Sequence, residues 1–230
     1  MKELPEYFWR HALFYGEDAI KKLQNSTVLV AGVGGLGCTV SQLLVRSGVG
    51  TILLLENKAI DEPDLNRQIL YTYEDLGKEK IEVAKERLEA ISPYSKIVPI
   101  KMRLTETNAK ELSKLNFDLI VDCFDNFEGR FLLEDILHKD QMMVHAGISN
   151  NFGQISVIKK EKTASLKELF GGLPKGQDKP IPVVPSAVVC LASFSANEAI
   201  NCLLGKQKLV GKIVLVDLED YSLSKIVLKK

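Results

Sequence analysis

The chain is poor in the residues from which small proteins build staples and metal clips. Its four cysteines, Cys38, Cys123, Cys190 and Cys202, include no C-x-x-C pair, and there are only three histidines. The usual zinc-ligand spacings are therefore absent, so no zinc site and no disulfide framework are expected. An excess of one charge is missing too. The 30 Lys and Arg balance the 30 Asp and Glu, so no global basic field points to a nucleic acid and no acidic excess points to disorder. The opening residues, MKELPEYFWRH, hold no apolar signal core, and the most apolar window, 183–204, is broken by Pro185, several serines, Asn197 and Glu198. Together these absences predict a soluble, cytoplasmic protein with no membrane segment and no nucleic-acid partner. At 230 residues there is chain enough for one domain, 1–230, with a sizeable core.

What is present is a rhythm. The β-branched run Thr27 to Ala31 ends in glycines and is followed by an apolar stretch, 36–45, of helix length. The unit then recurs. Strands are predicted at 51–55, 97–102, 117–122 and 142–145, and helices at 77–90, 105–115 (with Thr105 as its cap) and 127–138. Short apolar strands alternating with amphipathic helices predict an α/β fold: a Rossmann-like, doubly wound, mostly parallel sheet, because parallel pairing needs a crossover and the crossover helix covers a face. A helical arm precedes it at 1–25. Beyond Ala146 the rhythm changes, with a strand at 153–158, a long loop at 159–185 holding four of the eight prolines, and a buried helix at 186–204. The runs 212–217 and 223–228 predict a terminal hairpin within 212–230, an antiparallel extension of the sheet.

Gly32-Val-Gly34-Gly35-Leu-Gly37 is a G-x-G-x-x-G turn between a strand and a helix, and Glu56 ends the second strand. Such glycines admit a phosphate to the helix N-terminus, and the acid can hold ribose hydroxyls. Read alone, the motif points first to a dinucleotide oxidoreductase. The residues beyond it point elsewhere. Arg67 in Asp64-Leu-Asn66-Arg67-Gln68, Lys80, and Asp125 in Asp122-Cys-Phe-Asp125-Asn126 all follow strand ends, and two cations with a carboxylate suit a triphosphate and Mg²⁺. Plainer readings stand beside these: Arg10 as a surface arginine, Lys80 on a solvated helix face, and Asp125 or Asn126 as a helix cap. His145 reads as a buried histidine and Cys190, in VVCLA, as a packing thiol. Lys159, Lys160, Lys162 and Lys175 make at most a weak basic stripe.

In order along the chain, Tyr7-Phe-Trp-Arg10, the loop 32–37, Asp64 to Gln68, Gly77-Lys-Glu-Lys80, Asp122 to Asn126 with Arg130, Gly153-Gln-Ile-Ser-Val157 and Ser195-Ala-Asn-Glu-Ala-Ile200 resemble the adenylating enzymes that include MoeB, ThiF and the ubiquitin-activating enzymes. The resemblance implies that a carboxylate attacks the α-phosphate of ATP, expels pyrophosphate and leaves an acyl adenylate. It implies that the glycines 32, 34, 35 and 37, Glu56, Asp64, Asn66 and Asn126 contact the nucleotide. Arg67 and Lys80 would hold phosphates, Asp125 would hold Mg²⁺, and Arg10 would reach a neighbouring subunit's site in a homodimer. Three departures are visible: Asp64 stands where the family has Asn, the zinc-binding cysteine pairs are missing, and no cysteine falls between Cys123 and Cys190, where the family's transfer cysteine aligns with 177–182. The chemistry is therefore expected to stop at the adenylate. The acceptor leans to a small-molecule acid, for example a pyridinol cofactor precursor. The alternatives are the C-terminal Gly of a ubiquitin-like sulfur carrier, a non-catalytic partner subunit, and the NAD-dependent oxidoreductase.

Overall fold

A computed structural model describes residues 4–172 and 181–228. The centre of the expected loop, with Lys175 and Gln177, lies outside the described residues. After a 3₁₀ turn at Glu6–Phe8 come α1 (Trp9–Tyr15), α2 (Glu17–Gln24), β1 (Thr27–Ala31), α3 (Gly35–Arg46), β2 (Thr51–Glu56) and α4 (Lys80–Ile91). β3 (Lys96–Lys101), α5 (Ala109–Leu112), β4 (Leu119–Asp122), α6 (Phe127–Asp135) and β5 (Met142–Ser149) complete the parallel part. β6 (Phe152–Lys159), α7 (Leu166–Phe170), α8 (Pro185–Leu203), β7 (Lys212–Asp217) and β8 (Ser222–Val227) follow.

The strands form one sheet in the order β3-β2-β1-β4-β5-β6-β7-β8, parallel from β3 to β5 and antiparallel from β5 to β8. Winding proceeds outward from β1 in one direction and from β4 in the other. The switch point, where crossovers leave a crevice, therefore lies beyond the carboxyl ends of β1 and β4. Alternation along the strands divides the core in two. Val28, Val30, Ile52, Leu54, Val121 and Val144 pack under α3, α4 and α8, while Leu29, Ala31, Leu55, Ile120, Met143 and Ile158 pack under α5, α6 and α7. The helix α8 is long and apolar enough to cross a membrane by length and composition. Here it is mostly buried against α3, β5 and β6. The N-terminal arm is pinned by Phe8, fully buried and 5.1 Å from the Tyr94 ring.

Four local expectations change. The segment 105–115 is helical only over α5, and Thr105 is not its cap. The Thr105 amide donates to Asn108 Oδ1 at 2.8 Å and Asn108 Nδ2 donates to Arg103 O, folding 103–108 into a turn that the helix must follow. α4 starts at Lys80, not Gly77, because Gly77 has φ 80° and residues 77–80 are tied by backbone bonds to 58–60. β5 runs four residues past His145 because β6 pairs with it from Ser149↔Phe152 to Met142↔Lys159, around a left-handed Asn150 at φ 55°. The stretch 159–185 contains α7, whose N-cap Ser165 accepts from Glu168 N at 3.1 Å.

The 72–75 turn sets where α4 begins, and Asp75 holds it together. Its Oδ2 accepts from Thr72 N at 2.8 Å and Thr72 Oγ1 at 2.9 Å, its Oδ1 from Lys78 Nζ at 3.2 Å, and Arg87 pairs with it from α4. Burial alone would raise the Asp75 pKa, but the Thr72 bonds, Lys78 and Arg87 prevail and lower it to about 2 from the ordinary 3.8. A depressed carboxylate contributes stability that is complete above its unfolded value and is lost as pH falls from 3.8 towards 2. Asp75→Asn is expected to lower stability at neutral pH and to flatten the acid limb over that window. Urea unfolding of both proteins across the range checks this, and parallel acid limbs would show that Asp75 does not set it.

Candidate active site

Two glycines shape the turn at the switch point. Gly32 has φ 93°, and a Cβ there would lie 3.0 Å from the Cys123 carbonyl oxygen. A Cβ at Gly37 would lie 1.9 Å from the Gly32 carbonyl oxygen, so only glycine lets the first turn of α3 press onto the end of β1. The unpaired amides of that first turn consequently open onto the crevice. Two side chains brace the loop through its backbone. Glu56, 8% exposed, accepts from Val33 N at 3.1 Å, Asn57 N at 2.7 Å and Lys58 N at 3.0 Å. Tyr71 Oη donates to Val33 O at 2.8 Å and reaches Lys80 O at 3.3 Å.

The predicted cations meet at Asp64. Lys80 is buried, not on a solvated face, and its Nζ lies 2.7 Å from Asp64 Oδ2. Arg67 Nη2 lies 3.7 Å from Asp64 Oδ1, while its Nη1 donates to Pro63 O at 2.7 Å and Asn66 Oδ1 at 3.0 Å. Gln68 Nε2 donates to Asp64 Oδ1 at 2.6 Å, and the Arg67 stem lies beside Gly35.

Across the crevice, β4 delivers the segment 122–126. Asp122 is fully buried and accepts from His145 Nδ1 at 2.7 Å and Phe124 N at 3.1 Å, with Arg130 Nε at 3.6 Å. Arg130 in turn donates to Phe124 O at 2.6 Å and 3.2 Å. These contacts fix the backbone that presents Asp125 and Asn126 to solvent. Asn126 is the N-cap of α6, accepting from Gly129 N at 2.8 Å. Asp125 instead points outward, with Lys58 Nζ at 3.3 Å and the Asn126 amide at 3.1 Å. Partial enclosure would raise the Asp125 pKa, but the Asn126 amide and the Lys58 ammonium outweigh it and hold it below the ordinary carboxylate value. It is an ionised, exposed oxygen donor of the kind Mg²⁺ takes.

The glycines, Glu56, Asp64, Asn66, Arg67 and Lys80 thus form one linked cluster, with Asp125 and Asn126 joined to it through Lys58. Arg10 does not join it. It is exposed on α1 and bonds to none of these residues among those described. Sequence reading missed Lys58 and Tyr71 as site residues. Lys58 could have been found, since it follows two positions after Glu56, but Tyr71 carried no local signal. Burial pushes the Cys38 and Cys202 thiols up to about 12 and Cys123 well up, so none of the three is a thiolate nucleophile. Cys190 is half-buried in α8.

Because a carboxylate can only accept, His145 carries its proton on Nδ1. Burial lowers its pKa below 6.5, against the opposing pull of Asp122 and with the help of Arg130. The unfolded chain then binds a proton that the folded chain refuses, so stability falls as pH drops through 6.5. His145→Asn keeps a donor and removes the titration. The stability gap between the two proteins is expected to narrow from about pH 7.5 to about pH 5.5; a constant gap in chemical denaturation would contradict the neutral assignment.

A model of the ThiF family matches residues 8–230. A "Sulfur carrier protein adenylyltransferase" of Thermus thermophilus is 34% identical over 230 residues, covering 94% of this chain and 83% of that protein. A "Probable adenylyltransferase/sulfurtransferase MoeZ" of Mycobacterium tuberculosis is 32% identical over 226 residues, covering 94% of this chain but only 57% of MoeZ. Among solved structures, E. coli MccB with ATP superposes with a TM-score of 0.80 at 22% identity, over 99% of this chain and 73% of that one, a likeness of fold. The chain belongs to the ThiF family of ATP-dependent adenylyltransferases.

Proposed function

We propose that the protein adenylates the C-terminal carboxylate of a small sulfur-carrier protein, using ATP and Mg²⁺, and that it works as a homodimer in which Arg10 serves the partner's site. The observation that carries the acceptor is the T. thermophilus relative, matched over 94% of this chain and named for a sulfur carrier. This reverses the order suggested by the sequence, which leaned to a small-molecule acid. The surface supports the change. β8 ends the sheet, is exposed along its whole length, and turns Leu223, Ile226 and Val227 to solvent. An open apolar sheet edge suits a protein partner that adds strands, not a small acid.

The chemistry needs no base from the protein, since a C-terminal carboxylate is already ionised at neutral pH. Its oxygen attacks the α-phosphorus, the bond to the bridging oxygen breaks, and the electron pair leaves with pyrophosphate. What the chain supplies is position and charge. The first-turn amides of α3 take phosphate oxygens, Glu56 lies where ribose hydroxyls can reach its remaining acceptor capacity, and Arg67 and Lys80 neutralise the leaving group. Asp125 would hold Mg²⁺, which when bound screens the phosphate charges. Cys38, Cys123 and Cys202 are buried and Cys190 lies within α8, so the adenylate is the product and another molecule consumes it.

For the dimer, Trp9, Leu13 and Phe14 are exposed on the same stretch of α1 as Arg10, Phe14 by 82%. Residues four apart share a helix face, so Arg10 and Phe14 are neighbours on an uncovered apolar surface.

ATP:pyrophosphate exchange is expected with a carrier bearing a free C-terminal Gly and not with its C-terminally amidated form. Exchange driven by a small acid and by no carrier would overturn the acceptor. Arg67→Ala is expected to lower exchange by about 100-fold, and an unchanged rate would remove Arg67 from the site. Mixing Arg10→Ala with Arg67→Ala subunits is expected to restore part of the activity, because one hybrid site holds both arginines; confirmed hybrids without recovery would rule out the shared site.

A further inference from the structure

Both cations assigned to the phosphates are turned onto a single carboxylate. Lys80 is 4% exposed, and its only ion-pair partner among the described residues is Asp64, at 2.7 Å. Asp64 Oδ2 also accepts from Asp61 N at 3.2 Å, and Asp64 Oδ1 has Gln68 Nε2 at 2.6 Å and Arg67 Nη2 at 3.7 Å. Oδ2 thus takes two donors and Oδ1 takes one, with the Arg67 charge beside it, so the carboxylate is largely engaged by its own chain. The rest of the Arg67 fork is folded back onto Pro63 O and Asn66 Oδ1. Asp64 therefore occupies, chemically, the place of an anion: it draws the same lysine and arginine that a phosphate would require. Beside it, Gln68 Oε1 is buried with no partner among the described residues, and Gln68 Nε2 would lie 3.7 Å from a Cβ at Gly34 of the phosphate loop.

We propose that Asp64 is an internal substitute for a nucleotide phosphate, a latch that satisfies Lys80 and Arg67 while the site is empty and competes with ATP for them. The inference rests on the nucleotide site proposed above and adds a regulation to it. A buried lysine without a counter-charge is costly, so the latch stabilises the empty protein. The same negative charge repels incoming phosphates, and nucleotide affinity is lower for it.

Asp64→Asn removes the charge and keeps the shape. Calorimetry with ATP, with Mg²⁺ and without, is expected to show about tenfold tighter binding in both conditions, while thermal unfolding of the empty variant moves down. Pyrophosphate alone should likewise bind more tightly and raise the unfolding temperature of the variant more than that of the wild type. Unchanged or weaker binding of both probes by the variant would overturn the latch. Weakening confined to Mg²⁺ would overturn it in favour of a metal ligand. Should Asp64→Asn fail to fold alone, refolding it and Asp64→Ser with pyrophosphate decides: recovery supports the substitution of phosphate for carboxylate, and no recovery refutes it. If wild type and variant both ignore ATP while pyrophosphate still distinguishes them, the nucleotide assignment fails and the latch stands.

Discussion

The packing of the first turn of α3 onto the end of β1, through the contact of Gly37 with the Gly32 carbonyl, is the constraint on which the site depends. It places helix amides at the one point where the sheet's winding reverses. Gly32 also abuts the Cys123 carbonyl, so the same close approach ties the end of β1 to the end of β4. Glu56 from β2 and Tyr71 from the following loop then hold Val33 by its amide and its carbonyl. Three strand ends are thus locked around one turn with little freedom for the backbone to adjust. The helix amides of the turn are held in place in the same way whether or not a ligand is present.

Charge is managed with the same economy. The interior side of the crevice holds Lys80 and Arg67 around the single carboxylate of Asp64, while the outer rim holds Lys58 and Asp125 in a solvated pair. Water competes little with the inner contact between Lys80 and Asp64 and freely with the exposed pair of Lys58 and Asp125. The displacement at phosphorus proposed above asks for charge compensation and alignment and for no proton shuttle. The Asp122–His145 pair is therefore a support. It fixes the backbone of 122–126 from below, where neither residue is exposed.

Most of the fold could be read from the sequence because its signals are local. The run Thr27 to Ala31 became β1 with the same ends, and the terminal hairpin fell within one residue of its expected strands, since period and turn composition act over a few neighbours. The misses came where distant residues intervened. Asn108 ended a helix that periodicity carried back to Thr105, and β6 lengthened β5 by offering it a partner. At the site, residue types and order pointed to the glycines, the cations and Asp125, because phosphate and metal chemistry restricts which side chains can serve.

The sequence by itself carried the inventory: a mostly parallel α/β scaffold, a glycine-rich turn between strand and helix, two cations and an acid beyond the strand ends, and no cysteine between Cys123 and Cys190. How those charges pair was set by packing between distant segments. Among Lys78, Glu79 and Glu82, Lys80 allowed a plainer reading as a solvated helical residue beside that of a phosphate ligand; it is buried because residues 77–80 are pinned to 58–60 and the helix start is carried under Asp64. Asp64 reads as an acid misplaced among phosphates, yet it is screened by Lys80, Arg67 and Gln68. Pairing of this kind depends on which side chains share a low-dielectric pocket. That is set by packing between segments far apart in the chain, and no local pattern encodes it.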